Sequence, residues 1–165
     1  MKTMFFTILT LSAAFLTACS TTADAEKNKT EKLSIADVQV PEAELKKISE
    51  SAIREIFRGI EKNDYSIFRK SFYEKVTTEK NFKQLSAAFH EKNGKMENLK
   101  YLDTLQVGVF KVTVWKVRFA RSQKLIDAMK RDNRKPEAIP LSDMLIRLYL
   151  GNIGGQWKVF SISFN

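Results

Sequence analysis

Apolar residues recur at helical spacing in the first half of this chain and alternate in the second half. In "PEAELKKISESAIREIFRGIEKND" the set Leu45, Ile48, Ala52, Ile53, Ile56, Phe57 and Ile60 falls on one helix face. Pro41 suits an opening helical turn, and Glu42 and Glu44 suit the positive end of the helix dipole. Asn63-Asp64 breaks this helix, with Asp64 placed to cap the next one. "YSIFRKSF" reads as a short helix with Tyr65, Phe68 and Phe72 inward. "TTEKNFKQLSAAFHEKNG" reads as a third, with Thr78 as cap, Phe82, Leu85 and Phe89 as apolar face, and Gly94 as stop.

The period then changes to two. "LKYLDTLQVG" places Leu99, Tyr101, Asp103, Leu105 and Val107 on one side. "VFKVTVWKVRFA" is a long strand with Phe110, Val112 and Val114 on one face and Trp115, Val117 and Phe119 on the other. Either both faces are covered, or a bulge near Val114 shifts the apolar side. "DMLIRLYLG" sets Met144, Ile146, Leu148 and Leu150 against Arg147 and Tyr149. "GQWKVFSISFN" sets Phe160, Ile162 and Phe164 against Trp157 and Val159, and "NIGG" between the last two strands is hairpin chemistry. The expected fold class is α+β, with N-terminal helices packed on a curved antiparallel sheet of about four strands.

This order of elements resembles the NTF2-like (cystatin-like) superfamily of cone-shaped α+β domains. The resemblance covers residues 41–165 and rests on element order and the Asn63-Asp64-Tyr65 break. It implies a curved sheet wrapped on helices, a pocket at the open end of the cone, and dimers through the sheet. One departure is a basic insertion at 121–142, long for a connection between strands. Its first half can form a helix with Leu125, Ile126 and Met129 on one side.

Upstream, "MKTMFFTILTLSAAFLTAC" has a positive start at Lys2, an apolar run from Met4 to Leu16, and small residues before Cys19, the only cysteine. The run is about 20 Å long as a helix, too short for a stable span. "LTAC" resembles the lipobox of bacterial lipoproteins, with Leu16, Ala18 and Cys19 matching. That family acylates the thiol and cuts just before it, with palmitate-type chains holding the protein on a membrane. The expected organisation is therefore a signal peptide over 1–18, a lipidated Cys19 with a flexible tether over 19–40, and one folded domain over 41–165. Ser20 rather than Asp after the cysteine resembles the outer-membrane-directed class of enterobacterial lipoproteins.

The chain carries 28 Lys and Arg against 19 Asp and Glu, net +9, and all of this excess lies in residues 41–165. For an exported, anchored protein the expected polyanion is a lipid headgroup or another envelope component, not nucleic acid. Lys130, Arg131, Arg134 and Lys135 in the insertion are the candidate contact; the alternative is a solvated crossover that covers the sheet edge. Arg147, Tyr149 and Trp157 are a candidate interaction face for a partner or a second copy, unless the insertion or the helices cover them. Asp103 is a weak candidate base, on the NTF2-like precedent of Asp, His and Tyr inside the cone; against it stands a bulge or edge position in water. The single histidine, His90, reads as structural. There is no P-loop, GxGxxG, GxSxG or HExxH, and one His with no free Cys leaves no conventional zinc site, so neither metal nor cofactor is expected. The expected role is a non-catalytic ligand-binding or protein-interaction module, with an isomerase or hydratase-type enzyme and a homodimeric structural element as alternatives.

Overall fold

The computed structural model describes residues 35–138 and 141–165. It is α+β: α1 (Glu42–Glu61), α2 (Tyr65–Arg69) and α3 (Glu79–Lys92) precede β1 (Asn93–Val107) and β2 (Phe110–Arg121); α4 (Gln123–Arg131) and a 3-10 turn (Pro136–Ala138) lead to β3 (Ser142–Ile153) and β4 (Gln156–Phe164). The four strands form an antiparallel sheet in the order β1-β2-β3-β4. Each hairpin partner is a sequence neighbour, so the sheet needs one long connection only, the segment carrying α4.

The expected caps are in place. Asp64 Oδ1 accepts from the backbone N–H of Ser66 and Ile67, and Thr78 Oγ1 accepts from Asn81 N–H. Ser122 caps α4 by accepting from Leu125 N–H, and α4 buries Met129 with Leu125 and Ile126 half-buried. The turn between β3 and β4 is Gly154-Gly155, with φ of +57° and +84°, the two positive values a type I′ hairpin demands.

The core lies between α1–α3 and one face of the sheet. Phe57 is at its centre, with ring centroids 5.0 Å from Phe119 and 5.6 Å from Phe89. Trp115, Val117 and Phe119 from β2, Ile146 and Leu148 from β3, and Val159 from β4 complete it. Gly59 lets α2 cross α1 closely: a Cβ there would lie 2.5 Å from Phe68 N. The free edge of β4 is covered by Ser71–Tyr73, through hydrogen bonds of 2.9 Å from Tyr73 N to Val159 O and from Val159 N to Ser71 O.

Four expectations are corrected. The segment read as the end of a tether is folded: Ala36 N donates to Asn152 O at 3.0 Å, and Val40 packs on the core, so residues 35–40 belong to the domain. Gly94 does not stop α3; Asn93 N bonds Phe89 O, and Asn93 and Gly94 already lie in β1. In β1 the register shifts between Tyr101 and Asp103, so Tyr101 faces inward opposite Trp115 while Asp103 faces outward opposite Val114. In β4 it shifts again: Leu150 opposes Val159 and Tyr149 opposes Ser161, leaving Phe160 as the extra residue. Trp157 and Val159 therefore share the core side with Ile162 and Phe164, and Phe160 turns outward. β2 itself pairs with β3 without a shift, so Phe110, Val112 and Val114 form an apolar outer row.

Candidate functional site

The sheet packs α1 against a polar corner. Glu42, in the first turn of α1, accepts a 2.6 Å hydrogen bond at Oε1 from Tyr101 Oη, whose oxygen lies 2.7 Å from Thr104 Oγ1. Lys46, one helical turn on, holds its ammonium 5.5 Å from the Tyr101 ring centroid, and the ring meets Trp115 edge-on at 5.2 Å. Burial first, and then the hydrogen bond to the Glu42 carboxylate, push the Tyr101 hydroxyl above the ordinary phenol range. Trp115 Nε1 and Thr113 Oγ1, both buried, have no protein hydrogen-bond partner in β2 or around it. Sequence reading missed this corner because its members sit 59 residues apart and the β1 bulge decides that Tyr101 faces it.

The sequence-named residues fall elsewhere. Asp103 is exposed on the outer face, where its Oδ1 accepts 2.8 Å from Thr104 N–H; it reaches the Tyr101 corner only through its charge, which adds a minor push to the Tyr101 hydroxyl. His90 Nε2 donates to Ile60 O at 2.8 Å, satisfying a carbonyl at the end of α1, beside Ser86, whose hydroxyl lies 3.0 Å from Asn63 Oδ1. Arg147 and Tyr149 are on the outer face of β3, but Trp157 is not with them. It packs at the core edge and lines a cleft of about 660 Å³ with Val38, Val40, Glu44 and Asn152. Lys130, Arg131, Arg134 and Lys135 are all exposed on the connection after β2. Cys19 lies outside the described residues.

The outer face joins an apolar row to a set of cations. Across β1, β2 and β3, Leu105, Val112 and Tyr149 are register neighbours, as are Lys100, Lys116 and Leu145. Val112, between Leu105 and Tyr149 in register, is 1% exposed. Toward one edge, Phe160 stacks on Tyr73 at 5.1 Å and meets Phe110 at 5.3 Å. Toward the other end, Asp143 takes a paired contact from Arg118 (2.8 and 3.0 Å) and one from Lys116 (2.9 Å). Arg118 first, then Lys116, hold the Asp143 carboxyl well below the usual carboxylate range. Lys100 and Arg147 share this face. No group of three or more His, Cys, Asp or Glu stands ready to hold a metal among the described residues. No helix there is long and apolar enough to cross a membrane.

No known family and no curated protein matches the chain. Among solved structures it is similar to the solution structure of a SEC-C motif containing protein from Rhodopseudomonas palustris. The two share 13% identity and a TM-score of 0.44 over 69% of this chain and 76% of that one, a likeness too slight to carry function across.

Proposed function

We propose that this chain is a bacterial envelope lipoprotein, anchored by acyl chains on Cys19, whose folded domain is a non-catalytic interaction module. The anchor rests on "LTAC" behind the apolar run Met4–Leu16. The interaction role rests on one contrast: the space between helices and sheet is filled by Trp115, Phe57, Phe119, Ile146 and Leu148, while the opposite sheet face exposes the cations Lys100, Lys116, Arg118 and Arg147 beside a buried to half-buried apolar row. A filled interior leaves the NTF2-like cone, which the element order still supports, without the deep pocket that a catalytic reading needs. Asp103, exposed, gives the isomerase or hydratase alternative no base.

The partner this face suits is an acidic envelope protein. Lys100, Lys116, Arg118 and Arg147 outnumber Asp103 and Asp143, and a second copy would set like charges against like. The anchor is tested by intact mass spectrometry of the protein from a Gram-negative host fed labelled palmitate. Cleavage after Ala18 and an acyl mass that Cys19→Ser abolishes are expected; an unmodified Cys19 overturns the anchor. Native mass spectrometry of the same protein tests the face: a stable dimer, or a retained small molecule, would overturn an acidic protein partner.

A further inference from the structure

The β1–β2 hairpin is the most apolar exposed element of the domain. Leu102, Leu105, Val107 and Val109 are 44%, 47%, 48% and 42% exposed, four of the six large exposed apolar side chains among the described residues. From Thr104 to Phe110 the hairpin has no charge; Asp103 and Lys111 bracket it. The tip closes on Gly108 at φ +58°, and the Gln106 side-chain amide donates to the Gly108 carbonyl, so this carbonyl at the turn is already paired. Leaving water therefore costs this tip less than an ordinary polar turn.

The chain enters the domain beside this tip. β2 begins at Phe110 and pairs Lys111 with Leu150, so the Gly108 turn and the Gly154-Gly155 turn lie at the same end of the sheet. Ala36 bonds Asn152 at that end, and Asp37 Oδ1 lies 3.5 Å from Lys111 Nζ. Fifteen residues lie between Cys19 and Ile35. The other end of β2, at Arg121, is roughly 36 Å further along the strand. Lys130, Arg131, Arg134 and Lys135 follow that far end.

We infer that the β1–β2 hairpin is a second membrane contact: Leu105, Val107 and Val109 dip into the surface of the bilayer that holds the anchor, while the basic insertion points away from it. This rests on the anchor reading. It stands the sheet upright on the membrane and leaves the Lys116, Arg118 and Arg147 end of the outer face open to a partner. The occupant is a bilayer and not a second copy, because the exposed apolar side chains are gathered where the anchored segment arrives.

The test uses the full lipoprotein reconstituted into vesicles of phosphatidylethanolamine and phosphatidylglycerol. Cys19 is consumed by acylation, so Val109→Cys supplies a single thiol for an environment-sensitive fluorophore. Lys130→Cys supplies the same label at the far end. Val107→Cys replaces the first variant if it melts below the native protein. The label at 109 is expected to shift to the blue and to be quenched several-fold more strongly by lipid-borne nitroxides than the label at 130. Equal, water-like signals at both positions with Cys19 acylated overturn this inference alone. A label at 109 shielded from water but untouched by lipid-borne quencher means that protein covers the hairpin, and also overturns it. An unacylated Cys19 in the same sample, read by mass, overturns the anchor and the inference with it.

Discussion

Replacing Gly59 by Ala sets two effects of opposite sign against each other. Gly59 lies in α1, where alanine is favoured over glycine by about 1 kcal/mol when the site is open to solvent. Here it is not open. The added Cβ would meet backbone, lying 2.5 Å from Phe68 N, 2.7 Å from Phe68 Cα and 2.8 Å from Phe68 Cβ. Reaching an ordinary contact requires α2 to retreat by about 0.9 Å, since the approach must open from 2.5 Å to 3.4 Å. α2 has little freedom to do so. Asp64 N bonds Gly59 O at 2.8 Å, and the Phe68 ring is wedged 4.9 Å from both Phe72 and Phe82. Overpacking of this kind costs about 1–3 kcal/mol, occasionally more. With backbone as the obstacle the cost belongs at or above the top of that range, so Gly59→Ala should be destabilising by roughly 2 kcal/mol after the propensity gain. For a domain of this size that lowers Tm by about 6–8 °C. Urea unfolding followed by far-UV circular dichroism measures it directly. A midpoint equal to or above that of the native protein would mean that helix propensity governs the site, and the close α1–α2 crossing would be refuted.

Hydrogen bonds and ion pairs give three further expected outcomes. Tyr101, whose hydroxyl is held above the ordinary phenol range, should ionise above that range in a 295 nm titration. The folded state keeps that proton after the unfolded chain has lost it, so the contribution is full below about pH 10 and disappears as pH rises through the raised value. Tyr101→Phe should remove this alkaline step and cost about 1 kcal/mol at neutral pH; an unchanged titration would place Tyr101 in solvent. Asp143, held low by Arg118 and Lys116, behaves in the opposite sense: its contribution is present above its unfolded value and lost as pH falls toward the depressed one. Asp143→Asn should flatten the acid limb of a stability–pH profile, most visibly at low salt, and an identical limb would show that the pair does not persist in solution. His90→Ala should lower stability by about 1 kcal/mol by removing one donor from the Ile60 carbonyl, which keeps the Asn63 N–H at 3.0 Å, whereas His90→Gln, which can still donate, should recover part of it in the same urea assay.

Much of this protein was open to local reading. The seven apolar residues of α1, the caps Asp64 and Thr78, the Gly154-Gly155 turn and the helical half of the insertion depend on interactions within a few residues, and period and cap chemistry report those directly. Which way a strand faces was legible only as far as its register held. Leu99, Tyr101, Asp103 and Leu105 make an unbroken alternation on paper, yet the shift against β2 turns Tyr101 toward Glu42 and Asp103 toward water. Phe160 and Trp157 exchange sides in β4 for the same reason. A bulge adds one residue opposite none, and the partner strand, not the local pattern, chooses where that residue goes. The sequence alone therefore determined the helices, the strands, the basic excess and the "LTAC" segment. Tertiary structure decided that Tyr101 rather than Asp103 faces inward, half-buried against Glu42, and that Ile35 enters beside the apolar hairpin with the basic insertion at the other end of the sheet. Both depend on pairings between residues far apart in the chain, and the alternation of a single strand carries no record of them.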